Sequence, residues 1–197
     1  MLASINPLGE RGRNQRYWVT TTAYVAGSAI AGAALGAILG LVGSPLAAPA
    51  PALGIVAAIT IAGRAFDVNA FGLRVPGPRR QVNENWLATY RGWVYGAGFG
   101  VQLGLAFLTI VTASATWVAF ACALFAGDPI AGGAIGATFG LVRALPVLTA
   151  ARVRDPLALH ALVRRLERLR PRVALATAAV QTTAAAGLIA LLIGRSA

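Results

Sequence analysis

The sequence predicts an all-α fold, a polytopic membrane helical bundle with about five transmembrane helices and one cytoplasmic amphipathic helix. Of the 197 residues, 57% are hydrophobic and only 12% are charged, whereas a soluble domain carries about a quarter charged residues. Residues 17–63 and 173–194 contain no Asp, Glu, Lys, Arg or His, and residues 92–142 contain only Asp128. Because a spanning helix needs about 20 apolar residues, these stretches hold two, one and two spans respectively.

The charged residues and prolines divide the chain into a basic arm, residues 1–16, and a single transmembrane domain, residues 17–197. The third apolar segment would measure about 50 Å as one straight helix, against a hydrocarbon core of about 30 Å. We therefore expect it to be kinked near Thr112-Ala113-Ser114 or to contain a re-entrant piece. The predicted spans are 17–42, 46–66, 92–126, 130–148 and 173–194.

The amphipathic helix is predicted over residues 156–170. Asp155 is a suitable N-cap and Pro156 a suitable first helical residue. Leucines and one valine then recur at helical spacing among arginines, which is typical of a helix lying on a membrane surface. Pro171 is expected to end this helix before the last span begins.

The arginines predict the orientation. All 17 basic residues are arginine, and every one except Arg195 lies in the arm, in the 64–91 loop or in residues 143–172. The positive-inside rule then places the N-terminus and these segments in the cytoplasm, in the inner membrane of a bacterium. The net charge of +11 flanks apolar spans, so we expect anionic lipid headgroups as partners and no nucleic acid. The sequences that open the two hairpins are alike (Arg16-Tyr17-Trp18-Val19 and Arg91-Gly92-Trp93-Val94), and so are those that close them (Arg64-Ala65-Phe66 and Arg143-Ala144-Leu145). This likeness suggests a parallel repeat.

Small residues recur at every fourth position in several spans. Such stripes let helix backbones approach closely where lipid provides no hydrophobic drive. They fit a tight intramolecular bundle, a homo-oligomer face or a sliding transport interface. The packing positions are Gly32, Gly36 and Gly40 in the first span, Gly96, Gly100 and Gly104 in the third, and Gly132, Gly136 and Gly140 in the fourth.

A few polar residues inside the spans are candidate contacts for a small solute. Amides at mid-membrane depth either bond across helices or bind a solute, and threonine hydroxyls can contribute to such a site. Two arginines at equivalent cytoplasmic ends, Arg64 and Arg143, are candidates for an anion or lipid-headgroup site, although snorkelling also explains them. The candidate solute contacts are Gln102, Gln181, Thr112, Thr109 and Thr138.

The sequence predicts neither an enzyme nor a cofactor. Cys122 and His160 are the only residues of their kinds, so an intramolecular disulfide or a cysteine- or histidine-rich metal site is excluded. No Asp, Glu or His falls inside a predicted span, so the acidic relay of many ion-coupled transporters is not expected.

Residues 98–148 resemble the second half of the CcdA/DsbD transmembrane family. The resemblance rests on Gly98-Phe99-Gly100, Leu103-Gly104, the Thr109 to Thr112 region, Gly132-Gly133 and Ala144-Leu145-Pro146. That family passes reducing equivalents across the membrane through a cysteine pair. This chain lacks the pair, because Cys122 has no partner, so no thiol transfer and no functional residue is carried over.

Two functions follow as hypotheses. The first is a transporter-like membrane protein that handles a small solute without acidic ion coupling, with Gln102 and Gln181 as its main contacts. The alternative is a structural or assembly subunit of a larger membrane complex, whose partner would be another membrane protein or a second copy of the chain.

Overall fold

The computed structural model describes residues 5–46, 49–67, 85–106 and 114–196. These residues form α-helices joined by turns and two short 3-10 segments, Ser44–Leu46 and Leu145–Arg152. Within these ranges, three helical stretches are long and apolar enough to cross a membrane, Tyr17–Leu46, Pro129–Arg152 and Pro156–Gly194. The α-helices are α1 (Pro7–Gly12), α2 (Tyr17–Gly43), α3 (Pro49–Asp67), α4 (Trp86–Thr89), α5 (Gly92–Gly104), α6 (Ala115–Phe125), α7 (Pro129–Ala144) and α8 (Pro156–Ser196).

Helix α2 lies at the centre of the packing, between α5 and α7. Gly96, Gly100 and Gly104 of α5 face Thr20, Tyr24 and Ser28 of α2, so these two helices run parallel. Glycines of α7 face α2 in the opposite order, so α7 runs antiparallel to it. The hydroxyl of Ser28 donates a hydrogen bond of 2.8 Å to the carbonyl of Gly140 and pins this second contact.

The long apolar segment 92–126 is divided between α5 and α6. Helix α5 ends at Gly104, beside Ser28 near the middle of α2. Helix α6 ends with Leu124 against Gly43, at the far end of α2. The two short helices therefore follow α2 from one end to the other, with an interruption between them. The residues predicted to form the kink, Thr112 and Ala113, lie outside the described residues, and Ser114 begins the second half.

Helix α3 packs on α6 and α8. Helix α7, its counterpart in the suggested hairpin repeat, packs along α2 and also contacts α6. The side chain of Leu192 on α8 approaches Gly54 near the start of α3. Gln181 and Arg64 line one cavity further along, so α3 and α8 run antiparallel.

Helix α8 is continuous over 41 residues and passes through Pro171. The prediction that Pro171 ends an amphipathic helix is therefore wrong, and the segments predicted as 156–170 and 173–194 form one helix. A proline within a helix costs about 3 kcal/mol, but the leucine, arginine and alanine residues on both sides are strong helix formers. The predicted N-cap is confirmed, since the Asp155 carboxylate accepts a 2.7 Å hydrogen bond from the backbone N–H of Ala158. At 1.5 Å per residue α8 is about 60 Å long.

The basic arm is folded against the bundle. Asn6 caps α1 by accepting a hydrogen bond from the backbone N–H of Gly9, and Pro7 follows at the first helical position. Ile5 is fully buried in an apolar cluster with Tyr24, Tyr95 and Phe99. The arm thus closes the end of the bundle where α2 and α5 begin.

Candidate functional site

A chain of hydrogen bonds joins α3, α6 and α8 where the interrupted helix resumes. The carboxylate of Asp67, the last residue of α3, accepts from the backbone N–H of Ser114 at 2.8 Å and from its hydroxyl at 2.6 Å. The amide nitrogen of Gln181 on α8 donates to the same hydroxyl oxygen at 2.9 Å. Asp67 therefore sits at the positive N-terminal end of α6, where a negative charge is favoured.

The orientation of the Gln181 amide follows from this network. The Ser114 hydroxyl has one proton, which it gives to Asp67, so its oxygen can only accept from Gln181. The amide nitrogen must face Ser114 and the amide oxygen Oε1 must point away. Gln181 is 6% exposed, and its Oε1 has no hydrogen-bond partner among the described residues. A buried acceptor without a donor costs about 1–3 kcal/mol.

Gln181 lines two cavities between α3 and α8. The larger has a volume of about 670 Å³ and extends along α8 from Arg170 to Gln181, with Arg64 and Asp67 on the α3 side. The smaller, about 200 Å³, is lined by Arg64, Gln181, the two threonines Thr60 and Thr182, and apolar side chains. Within the described ranges, no three His, Cys, Asp or Glu side chains come together as metal ligands would. The chemistry available here is hydrogen bonding and charge.

The other end of the interruption carries the opposite charge. The Arg143 guanidinium on α7 donates to the backbone carbonyl of Leu103 at 3.1 Å. Carbonyls in the last turn of a helix lack intrahelical partners and are favoured by a nearby cation. Arg143 therefore stabilises the end of α5 as Asp67 stabilises the start of α6.

A second buried polar cluster lies under the arm. The Glu10 carboxylate is fully buried and accepts from the hydroxyls of Tyr95, at 2.6 and 2.7 Å, and Thr20, at 2.7 Å. It also forms an ion pair of 2.6 Å with Arg13. Burial acts to lower the pKa of Arg13, but hydrogen bonds to Glu10 and Tyr95 raise it above its ordinary value. Both oxygens of the Glu10 carboxylate have partners, so this cluster serves as a lock between the arm, α2 and α5.

The predicted site residues fall in separate places. Gln181 and Arg64 meet on the α3–α8 cavities, whereas Arg143 lies against α5, so the predicted pair of arginines does not form one site. Gln102 is half-buried on α5. Thr138 is exposed on α7 and its hydroxyl bonds to Ala134 of its own helix. Thr109 and Thr112 lie outside the described residues.

All nine predicted packing glycines lie against the backbone of another segment. A Cβ atom added at any of them would overlap a backbone carbonyl. The predicted stripe at 4-residue spacing in α2 thus meets α7, and that in α5 meets α2.

The sequence did not predict Asp67 and Glu10 as site residues. The predicted spans leave Asp67 in a loop, one residue beyond the second span, although its i, i+3 spacing from Arg64 puts both residues on one helix face. They leave Glu10 in a polar arm, although Asn6 followed by Pro7 is a recognisable helix start.

The chain is similar to several proteins called methylamine utilization protein MauF. The protein from Paracoccus denitrificans is 32% identical over 198 residues, which cover 96% of this chain and 70% of that protein. The chain belongs to the MauF family. The MauF protein of Paracoccus versutus is 34% identical over 153 residues, and that of Methylobacillus flagellatus 30% identical over 135 residues. These matches cover 74% and 67% of this chain, but only 55% and 48% of the two relatives.

Membership of the MauF family corrects the resemblance to CcdA/DsbD, which is wrong. No family model matches the chain, and no solved structure matches it. The resemblance rested on the spacing of small residues, and the structure gives a different reason for that spacing. Gly98, for example, lies against the ring of Trp86, and Gly132 against the backbone of Gly36. Any closely packed helical bundle needs small residues at such positions.

Proposed function

We propose that this MauF-family chain is a membrane-embedded accessory protein of methylamine utilization that binds another membrane protein through α8. Its relatives carry methylamine utilization in their names. The proposal favours the assembly hypothesis, since nothing in the names of the relatives supports transport.

The exposed surface of α8 is the observation that carries the proposal. Helix α8 contacts α3 along one narrow face that includes Gln181 and Ala185. Its stripe of small residues, Thr182, Ala186 and Ala190, is exposed instead. In lipid, helices associate through small residues of this kind. The stripe lets another helix approach α8 closely, although its Cβ atoms keep that helix further away than the glycines of α2 keep α7.

The charge of α8 suggests the chemistry of the partner. Its length of about 60 Å is twice the hydrocarbon core, so part of the helix lies outside the bilayer. Arg164, Arg165, Arg168 and Arg170 are exposed there. A partner with a small-residue transmembrane helix and an acidic surface at the same membrane face would complement both parts of α8.

We further propose five spans in the bacterial inner membrane with the N-terminus in the cytoplasm. Helices α2, α3, α7 and the apolar part of α8 would each span once, and α5 with α6 would form the interrupted third span. The arginine distribution supports this arrangement.

The test is co-purification from the native host. The tagged chain is extracted gently from cells grown on methylamine, and its complexes are weighed by native mass spectrometry. We expect a defined complex with a different membrane protein. The substitutions Ala186→Leu and Ala190→Leu together should release that partner, because leucine side chains prevent close helix approach.

Ala184→Leu is the matched control, since Ala184 is also exposed on α8 but lies outside the stripe. It should leave the complex intact. A wild-type chain recovered only as a monomer would contradict the proposal. Recovery of a homo-oligomer would show that the partner is a second copy of the chain and not a different protein. A complex that survives both stripe substitutions would exclude the stripe as the docking face.

A further inference from the structure

We propose that the site formed by Asp67, Ser114 and Gln181 binds a small protonated primary amine. The starting point is the amide oxygen of Gln181, which is buried, fixed in orientation and without a donor among the described residues. A ligand that satisfies it must donate a hydrogen bond.

The surrounding atoms select a ligand that only donates. Each oxygen of the Asp67 carboxylate accepts one hydrogen bond from Ser114 and retains further accepting capacity. Thr60 is buried, lines the smaller cavity, and gives its proton to the carbonyl of Val56, so its oxygen can also only accept. An ammonium group has three donors and no acceptor. A primary amine keeps this ammonium form at pH 7, because its pKa is about 10.

The cavities match the two parts of such a ligand. The smaller one, about 200 Å³, joins Gln181, Thr60 and Thr182 to the apolar side chains of Ile61 and Ala185. A methyl or short alkyl group would lie on the apolar side and the ammonium group on the oxygens of Gln181 and Thr60, whereas the Asp67 carboxylate lines the larger cavity. That cavity, about 670 Å³, extends along α8 from Gln181 to Arg170.

Arg64 opposes the ligand. It lines both cavities and lies one helical turn before Asp67. Its guanidinium repels a cation in the site and competes with it for the Asp67 carboxylate. Removing this charge should therefore tighten amine binding. If Arg64 instead holds an anionic ligand, removing its charge should weaken the binding of that anion.

The experiment measures binding of methylammonium to the purified full chain in lipid nanodiscs, using radiolabelled methylammonium chloride at pH 7. Wild type should bind saturably, and unlabelled methylammonium should compete. Tetramethylammonium has the same charge but no N–H donor, so it should compete at least about tenfold more weakly. This comparison needs no variant and is unaffected by any folding defect.

Variants then locate the site. Asp67→Asn and Gln181→Leu should each weaken binding about ten- to a hundredfold, because hydrogen bonds to a charged group are the strong ones. Arg64→Gln should strengthen it. Thr183→Val is the matched control, since Thr183 is exposed on α8 and bonds only to Ala179 of its own helix. Gel filtration establishes that each variant remains folded.

Three outcomes would overturn the inference: no saturable binding, equal competition by tetramethylammonium, or wild-type binding by both Asp67→Asn and Gln181→Leu. The assay contains no partner protein, and Gln181 faces α3 rather than the exposed stripe. Failure here would leave the proposed docking of α8 standing, and failure of co-purification would leave the amine site standing.

Discussion

At the scale of single residues, one buried carboxylate organises the contact between the arm and the bundle. Glu10 is the most enclosed carboxylate among the described residues, and it ties Arg13 of the arm to Thr20 on α2 and Tyr95 on α5. A buried ion pair of this kind contributes little more stability than well-packed apolar residues would, but removing one partner leaves the charge of the other buried and uncompensated. The cluster therefore fixes where the arm docks.

Glu10→Gln should destabilise the protein by about 2–3 kcal/mol. The substitution removes the counter-charge of Arg13 and replaces one acceptor of the Tyr95 and Thr20 hydroxyls by a donor. The measurement is thermal unfolding of the purified protein in detergent, followed by tryptophan fluorescence. Glu167→Gln is the control, because Glu167 is exposed on α8, and it should unfold like wild type. An equal midpoint for both variants would contradict the role of the cluster.

The sequence could predict part of the candidate site. Gln181 and Arg64 were identified because an amide or a charge in an apolar segment is visible in the sequence alone. Their association with Asp67 and Ser114 was not, because the connecting hydrogen bonds join residues 47 and 67 positions apart. Nothing in the spacing of polar residues shows which helices are neighbours.

At the scale of helices, glycine register determines the packing of α2. Gly32 faces Gly136 and Gly36 faces Gly132, so each helix presents its small residues to the carbonyls of the other. The stripes were predictable from the 4-residue spacing, but their pairing was not, since stripes in four spans allow many combinations. The length of segment 92–126 predicts an interruption between α5 and α6, because 35 residues exceed one span. It does not predict the two charges that cap the helix ends, because Asp67 and Arg143 belong to other helices.

Gly36→Ala should destabilise the protein by about 1–3 kcal/mol, whereas Gly187→Ala should be neutral or stabilising by up to about 1 kcal/mol. A Cβ at Gly36 would overlap the backbone carbonyl of Gly132, and the helices can relieve this only by separating. A Cβ at Gly187 meets nothing within 4 Å, so only the higher helix propensity of alanine remains. Unfolding midpoints of the two variants in one detergent measure the difference, and equal midpoints would contradict close α2–α7 packing.

At the scale of the whole molecule, charge and packing divide the chain into two parts. Helices α1, α2, α5 and α7 form one closely packed group, with the arm locked at one end. Helices α3 and α8 form the other, joined to the first mainly through α6. The first part holds most of the glycine contacts and a cavity of about 300 Å³ between the arm, α2 and the start of α5. The second part holds the two cavities lined by Gln181 and the exposed stripe, and both proposed binding functions fall there.

The proposed five-span topology predicts opposite accessibility for two exposed positions. In a Cys122→Ala background, Ser44→Cys lies in the turn after α2 and should react with a membrane-impermeant maleimide in intact spheroplasts. Leu157→Cys lies at the start of α8, where Leu157 is 80% exposed, and should react only after the membrane is permeabilised. In the proposed topology the arginines near the start of α8 would keep that end in the cytoplasm, whereas the turn after α2 carries no charge. Labelling of both positions from one side would mean that an even number of spans lies between them. Either α3 or the α5–α6 pair would then not cross the membrane completely.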